Sequence, residues 1–155
     1  MKMKIIFTIV LFTIFFGCGF KIVDQDYFKG YNFAQTNISG DKRIVYLLKN
    51  NLKQGDKSAK RSLIINISTE QQKDIKEKNI QNEITKYEIT VTAKVNFNVV
   101  ENNNSGEFIV SKKGDFNVSK RYSDTLNNEK KIIKNIVNDI SKQIIKNLSI
   151  KLNEL

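Results

Sequence analysis

The sequence predicts an α+β protein: a two-layer α/β sandwich of element order β-α-β-β-β-α, with two helices packed on one face of a mostly antiparallel four-stranded sheet. Three observations predict it. From Tyr87 to Val99 every odd position is apolar and the even positions from Glu88 to Asn98 are polar, the pattern of a strand with one buried and one wet face. Asp41 to Gln54 and Asn127 to Asn153 instead repeat apolar residues at spacings of three and four, as amphipathic helices do. Because the strand has a single apolar face, both helices must cover that same face.

The chain begins with a leader. Met1-Lys2-Met3-Lys4 carries two positive charges, and Ile5 to Phe16 is apolar apart from Thr8 and Thr13, which makes the n-region and h-region of a secretory signal. A membrane span needs about 20 apolar residues. This run stops at Lys21, short of that length. Phe15 is too bulky for an ordinary signal-peptidase site, whereas Gly17-Cys18 fits a lipobox. Residues 1–17 therefore read as a lipoprotein signal peptide and residues 18–30 as a lipidated N-terminus and spacer, leaving residues 31–155 as one sandwich domain. An uncleaved anchor and a secreted chain with a free cysteine are the alternatives. Cys18 is the only cysteine, so a disulfide framework is excluded, and several acyl chains on it would anchor the protein stably. Gly19 stands where an inner-membrane retention aspartate would be, which directs the protein to the outer membrane.

Within the domain, aromatics alternate loosely before Asn37-Ile38-Ser39-Gly40, giving a short edge strand near Asn32 to Ile38. The helix from Asp41 to Gln54 places Ile44, Val45, Leu47, Leu48 and Leu52 on one side, with Ser39 or Asp41 as its cap and Gly55 at its end. Ser62 to Ser68 is a β-type run. The polar stretch Glu70 to Asn82 reads equally as a prolonged strand in a solvated hairpin or as a loop. After the Tyr87–Val99 strand, Glu101 to Gly106 forms a hairpin turn, and Phe108, Val110, Phe116 and Val118 continue the alternation. Gly114 marks a bulge or bend there. The last helix, Asn127 to Asn153, carries Ile133, Ile136, Val137, Ile140, Ile144, Leu148 and Leu152 in one stripe, widened by Ile132 and Ile145.

Composition narrows the chemistry. The chain has no histidine and no tryptophan, so the commonest general base, the Ser-His and Cys-His arrangements and nearly all zinc ligation are missing. Neither a metal site nor a cofactor is expected. Asp24 with Asp26, or Glu83 with Glu88, are the remaining carboxylate pairs, and surface charge explains both; the chain reads as a non-enzyme. The net charge of +10, of which Lys2 and Lys4 leave with the leader, is mixed along the chain and does not form a nucleic-acid-binding tail. Two basic pairs, Lys112-Lys113 and Lys120-Arg121, have Phe116 and Tyr122 nearby. They are the candidates for contact with anionic lipid or phosphate, against ordinary solvated charge.

Taken together, Gly17-Cys18-Gly19-Phe20, the early amphipathic helix, Tyr87 leading into Ile89-Thr90-Val91-Thr92-Ala93-Lys94-Val95, the strand ending near Lys120-Arg121-Tyr122, and the long terminal helix form an ordered pattern. It resembles the LPS-assembly lipoprotein (LptE) family, small outer-membrane lipoproteins that partner the LptD barrel. The resemblance covers nearly all the mature chain. It implies a lipid-anchored protein on the periplasmic side of the cell outer membrane, partnering an LptD-type barrel and assisting lipopolysaccharide assembly. Of the family's functional residues it carries over only the lipidated Cys18. Lys112, Lys113, Lys120 and Arg121 stand as lipid- or lipopolysaccharide-binding candidates from their own chemistry. The rival reading is a peripheral periplasmic lipoprotein that binds lipid or a soluble partner without a barrel; an envelope enzyme using carboxylates is a third.

Overall fold

The computed structural model describes residues 31–52 and 59–154, so Cys18, the Asp24–Asp26 pair, Gln54, Gly55 and Leu155 lie outside the described residues. The elements are β1 (Tyr31–Ser39), α1 (Lys42–Asn51), β2 (Arg61–Lys78), β3 (Ile84–Val99), β4 (Asn104–Asn117) and α2 (Tyr122–Asn153). This is the expected β-α-β-β-β-α order. The sheet runs β1-β2-β3-β4, with β1 parallel to β2 and the other two pairs antiparallel.

The alternation in β3 does what its pattern demands. Ile89, Val91, Ala93, Val95, Phe97 and Val99 are buried; across the ladder Val99, Phe97 and Val95 meet buried Leu63, Ile65 and Ile67 on β2, Ala93 meets buried Val110 on β4, and Tyr87 of β3 meets buried Phe116. Each such aliphatic side chain taken from water contributes about 1.5–3 kcal/mol. Both helices lie on this apolar side. Ile44 and Leu48 of α1 join the core, as do Ile133, Ile136, Val137, Ile140, Ile144, Leu148 and Leu152 of α2, with Ile132 and Ile145 packed at its margin.

Matched lengths let one helix cover the sheet. The 32 residues of α2 extend roughly 48 Å at about 1.5 Å each, and the 16 residues of β3 roughly 53 Å at about 3.3 Å each. At one end Thr125 exchanges hydrogen bonds with the backbone of Ser119, just beyond β4. At the other the Tyr31 hydroxyl of β1 donates to the Leu152 carbonyl, 3.4 Å away. A polar rivet fixes α1 to α2: Asn51 Nδ2 donates to Asn138 Oδ1 and to the hydroxyl of buried Ser141, at 3.0 and 3.1 Å.

Five sequence expectations are settled or corrected. Asp41, not Ser39, caps α1, its carboxylate accepting from the amides of Arg43 and Ile44; the Ser39 hydroxyl donates instead to the Ile67 carbonyl. The polar stretch after Ser68 is strand as far as Lys78, followed by a tight turn in which the Asn79 amide donates to the Glu83 carbonyl. Helix α2 starts at Tyr122, five residues before Asn127, and β4 starts at Asn104, inside the expected turn. Gly114 marks no bulge, since β3 and β4 pair without a register shift. Its missing side chain makes room for α2, because a Cβ there would stand 2.8 Å from Ile132 Cγ1.

Candidate functional site

The uncovered face of the sheet is the largest surface the fold leaves without a layer. It is built from the even positions of β3, namely Glu88, Thr90, Thr92, Lys94, Asn96 and Asn98, and from their cross-strand partners. On β2 these partners run from Ile64 through Asn66 and Glu70 to Asp74, and on β4 from Ser105 through Ile109 and Lys113 to Asp115. Alternation fixes this composition: once the odd residues are buried under the helices, every even residue must face away from them.

The lysines Lys76, Lys94 and Lys113 on this face are all paired to carboxylates. Lys94 lies 3.0 Å from Glu107, and Lys113 lies 3.0 Å from Glu88. Lys76 bridges Asp115 and Glu88. Its hydrogen bond to Asp115, opposed only in part by desolvation, holds the Lys76 ammonium above its ordinary range. The Thr92 and Ser111 hydroxyls also share a hydrogen bond of 3.0 Å. Asn98 Oδ1 is buried without a hydrogen-bond partner among the described residues. The face is therefore largely polar, its lysines neutralised by carboxylates, with Glu70 and Asp74 left as an excess of negative charge and Ile109 as an exposed apolar member.

The basic residues singled out from the sequence do not form one cluster. Lys112 pairs with Val91 and so takes the helix side of β4, while Lys113 takes the open side and is held by Glu88. Lys120 and Arg121 follow the end of β4; Arg121 turns back onto Asp124 in the first turn of α2, 2.9 Å away, and Lys120 is exposed. Adjacent residues on a strand point to opposite faces, so a basic dipeptide on β4 is split between two surfaces. Nor do Glu83 and Glu88 act as a pair. Glu83 accepts from Asn79 Nδ2 at 2.8 Å, and Glu88 belongs to the lysines.

Sequence reasoning missed the network around Lys73, a residue in the stretch whose conformation was open. It lies on the helix side, 2.8 Å from Glu129 of α2, with its ammonium 4.5 Å from the centre of the Tyr87 ring and 5.0 Å from that of Phe116. The two rings are stacked, 5.6 Å apart. The signal was the lysine standing at an apolar-phase position of β2.

Among the described residues, no group of three or more His, Cys, Asp or Glu could hold a metal ion, and no helix is long and apolar enough to cross a membrane. An apolar crevice between Phe33, Leu52, Ile65 and Ile145 has a volume of about 10 Å³, room for roughly one water and no ligand.

No protein-family model and no curated protein sequence matches the chain. Solved structures do. Rare lipoprotein B from Shewanella oneidensis aligns with a TM-score of 0.57 at 11% identity, over 77% of this chain and 97% of its own. An uncharacterized lipoprotein B from Nitrosomonas europaea aligns with a TM-score of 0.55 at 17% identity, over 87% of this chain and 93% of its own. The chain has a fold that bacterial lipoproteins use. At these identities the likeness is one of fold, and it extends over nearly the full length of both solved proteins.

Proposed function

We propose that this chain is a non-enzymatic outer-membrane lipoprotein, anchored through acylated Cys18 on the periplasmic side, that partners an LptD-type barrel and assists assembly of lipopolysaccharide. The observation that carries the reading is the open sheet face. It spans three long strands, is largely polar, with Ile64 and Ile109 as its apolar members, and ties Lys76, Lys94 and Lys113 to carboxylates. The lumen of a large outer-membrane barrel is typically polar. A surface whose lysines are already paired docks there without stranding an unpaired ammonium, which would cost several kcal/mol once buried. The fold shared with solved lipoproteins and the lipobox at Gly17-Cys18 support the same reading. In this reading Lys112, Lys113, Lys120 and Arg121 serve at different surfaces. Lys120 and Lys112 are free to meet phosphate or lipid, whereas Lys113 and Arg121 are already engaged by carboxylates.

The experiment is purification of the native protein from membranes under mild detergent. The expected result is a large barrel protein in stoichiometric yield, together with an N-terminal peptide whose mass carries acyl chains on Cys18. An unacylated N-terminus, or recovery with soluble periplasmic proteins only, would overturn the proposal.

A further inference from the structure

We propose that the outward face of the helix layer is a docking surface for an anionic lipid bilayer, on which the lipoprotein lies when no protein partner holds it. Charge is segregated between the two faces of the sandwich. On the sheet face, Lys76, Lys94 and Lys113 are all tied to carboxylates, and Glu70 and Asp74 add further negative charge. On the helix layer, Lys42 and Lys49 of α1 and Lys131, Lys134, Lys142 and Lys146 of α2 are exposed, and none has an ion-pair partner among the described residues. The spacing on α2 is that of one helix side: steps of three, eight and four residues between these lysines return to the arc opposite the buried Ile133, Ile140 and Ile144. Asp139 is the one acidic residue among them.

The residue types favour lipid over protein. Protein–protein interfaces deplete lysine and enrich arginine and aromatics at their cores. Lysine, a hydrated point charge on a flexible stem, suits a fluid layer of headgroups, whereas arginine suits fixed bidentate contacts. Arg43 is the only arginine on this layer. Each lysine held near an anionic leaflet strengthens binding roughly fivefold. Tyr46, 66% exposed between Lys42 and Lys49, adds an amphipathic ring of the kind that settles at headgroup depth. A sheet face whose lysines are neutralised and which carries Glu70 and Asp74 in excess gains nothing from such a surface and is left free for a protein.

This proposal does not depend on a barrel, and its test contains none. The full chain, purified from membranes, is incorporated into vesicles of phosphatidylethanolamine with phosphatidylglycerol, or of phosphatidylcholine alone, so that any acyl tether is common to both. Each is treated with an amine-acetylating reagent and read by peptide mass spectrometry. On the anionic vesicles Lys42, Lys49, Lys131, Lys134, Lys142 and Lys146 are expected to react at least fivefold more slowly than on phosphatidylcholine, and Lys94 at the same rate on both. About 1 M salt should abolish the difference, since it shortens the screening length to about 3 Å. The triple substitution K134E/K142E/K146E, all at exposed positions, should remove the protection at Lys42 and Lys49 as well. Equal reactivity on the two vesicles, protection of Lys94 instead, or protection that survives salt would overturn the proposal. Protection that appears only when an acidic protein is added would transfer the face to a protein partner and overturn it too.

Discussion

Ile140 is 0% exposed and sits mid-stripe on α2, where no neighbouring loop can collapse into a cavity. Ile140→Ala is expected to cost about 2–5 kcal/mol, read as a lower urea midpoint with unchanged slope. Gly114 gives the opposite case. Gly114→Val drives a branched side chain into Ile132 and Ile136 and should cost about 1–3 kcal/mol by overpacking. Gly40 resists substitution for a further reason, since its φ of 128° disfavours any side chain and Thr69 stands against the place a Cβ would take.

The titratable groups that depart from ordinary values sit at opposite ends of the pH scale. Desolvation pushes the Glu101 carboxyl up. Hydrogen bonds from its own amide and from that of Ser62, with Arg61 nearby, outweigh it and hold the group below its ordinary range. A depressed carboxyl contributes stability that is complete above its unfolded value and lost as the pH falls through the folded one. The Ser62 amide, 2.7 Å from Glu101 Oε1, is therefore expected to titrate in NMR spectra below the ordinary carboxylate range, and Glu101→Gln should abolish that transition. Lys76 has the reverse sign: its contribution is complete at neutral pH and is lost only as the pH rises through its raised value.

At the scale of elements, β3 and α2 were readable because both carry long apolar periods, and no other element buries the same residues. Their ends were less so. Helix α2 starts at Tyr122, where Arg121 and Asp124 brace the first turn by a side-chain pair and no apolar repeat announces it. The second half of β2 was not decidable from its own residues. Glu70 to Lys78 has Lys73 where an apolar residue would reveal a strand, and what holds it is pairing with β3 plus contacts from Lys73 to Glu129 and from Lys86 to Glu77. β1 ends opposite Ser68, so beyond that point β2 is an edge strand, and its charged residues blunt the exposed backbone. Backbone amides from Gln72 to Lys78 should accordingly exchange with solvent at least tenfold faster than those from Leu63 to Ile67, which lie between two paired strands above the core. Equal protection along the whole of β2 would mean that the polar arm has a cover not seen here.

For the whole molecule, one division organises the surface: a largely polar sheet whose lysines are paired to carboxylates on one side and a layer of unpaired lysines on the other. Sequence alone placed the polar side, because alternation sends every even residue of β3 outward. It did not show how the basic candidates are distributed, because nearness in sequence is not nearness on a strand, and Lys112 and Lys113 fell on opposite surfaces. Neither could it distinguish free lysines from paired ones, since the partners of Lys76, Lys94 and Lys113 come from other strands. The lipid anchor rests on Gly17-Cys18 alone, and the barrel on the face that the fold leaves open. That face can be interrogated directly. A photocrosslinking amino acid placed at Asn96, at the centre of the sheet face, should capture an outer-membrane barrel in intact cells, in an adduct identified by mass spectrometry. The same group at Asn135, on the outer side of α2, serves as the comparison. An Asn96 adduct with the barrel is the result the proposed function requires; capture of lipid or soluble protein alone from Asn96 would contradict it.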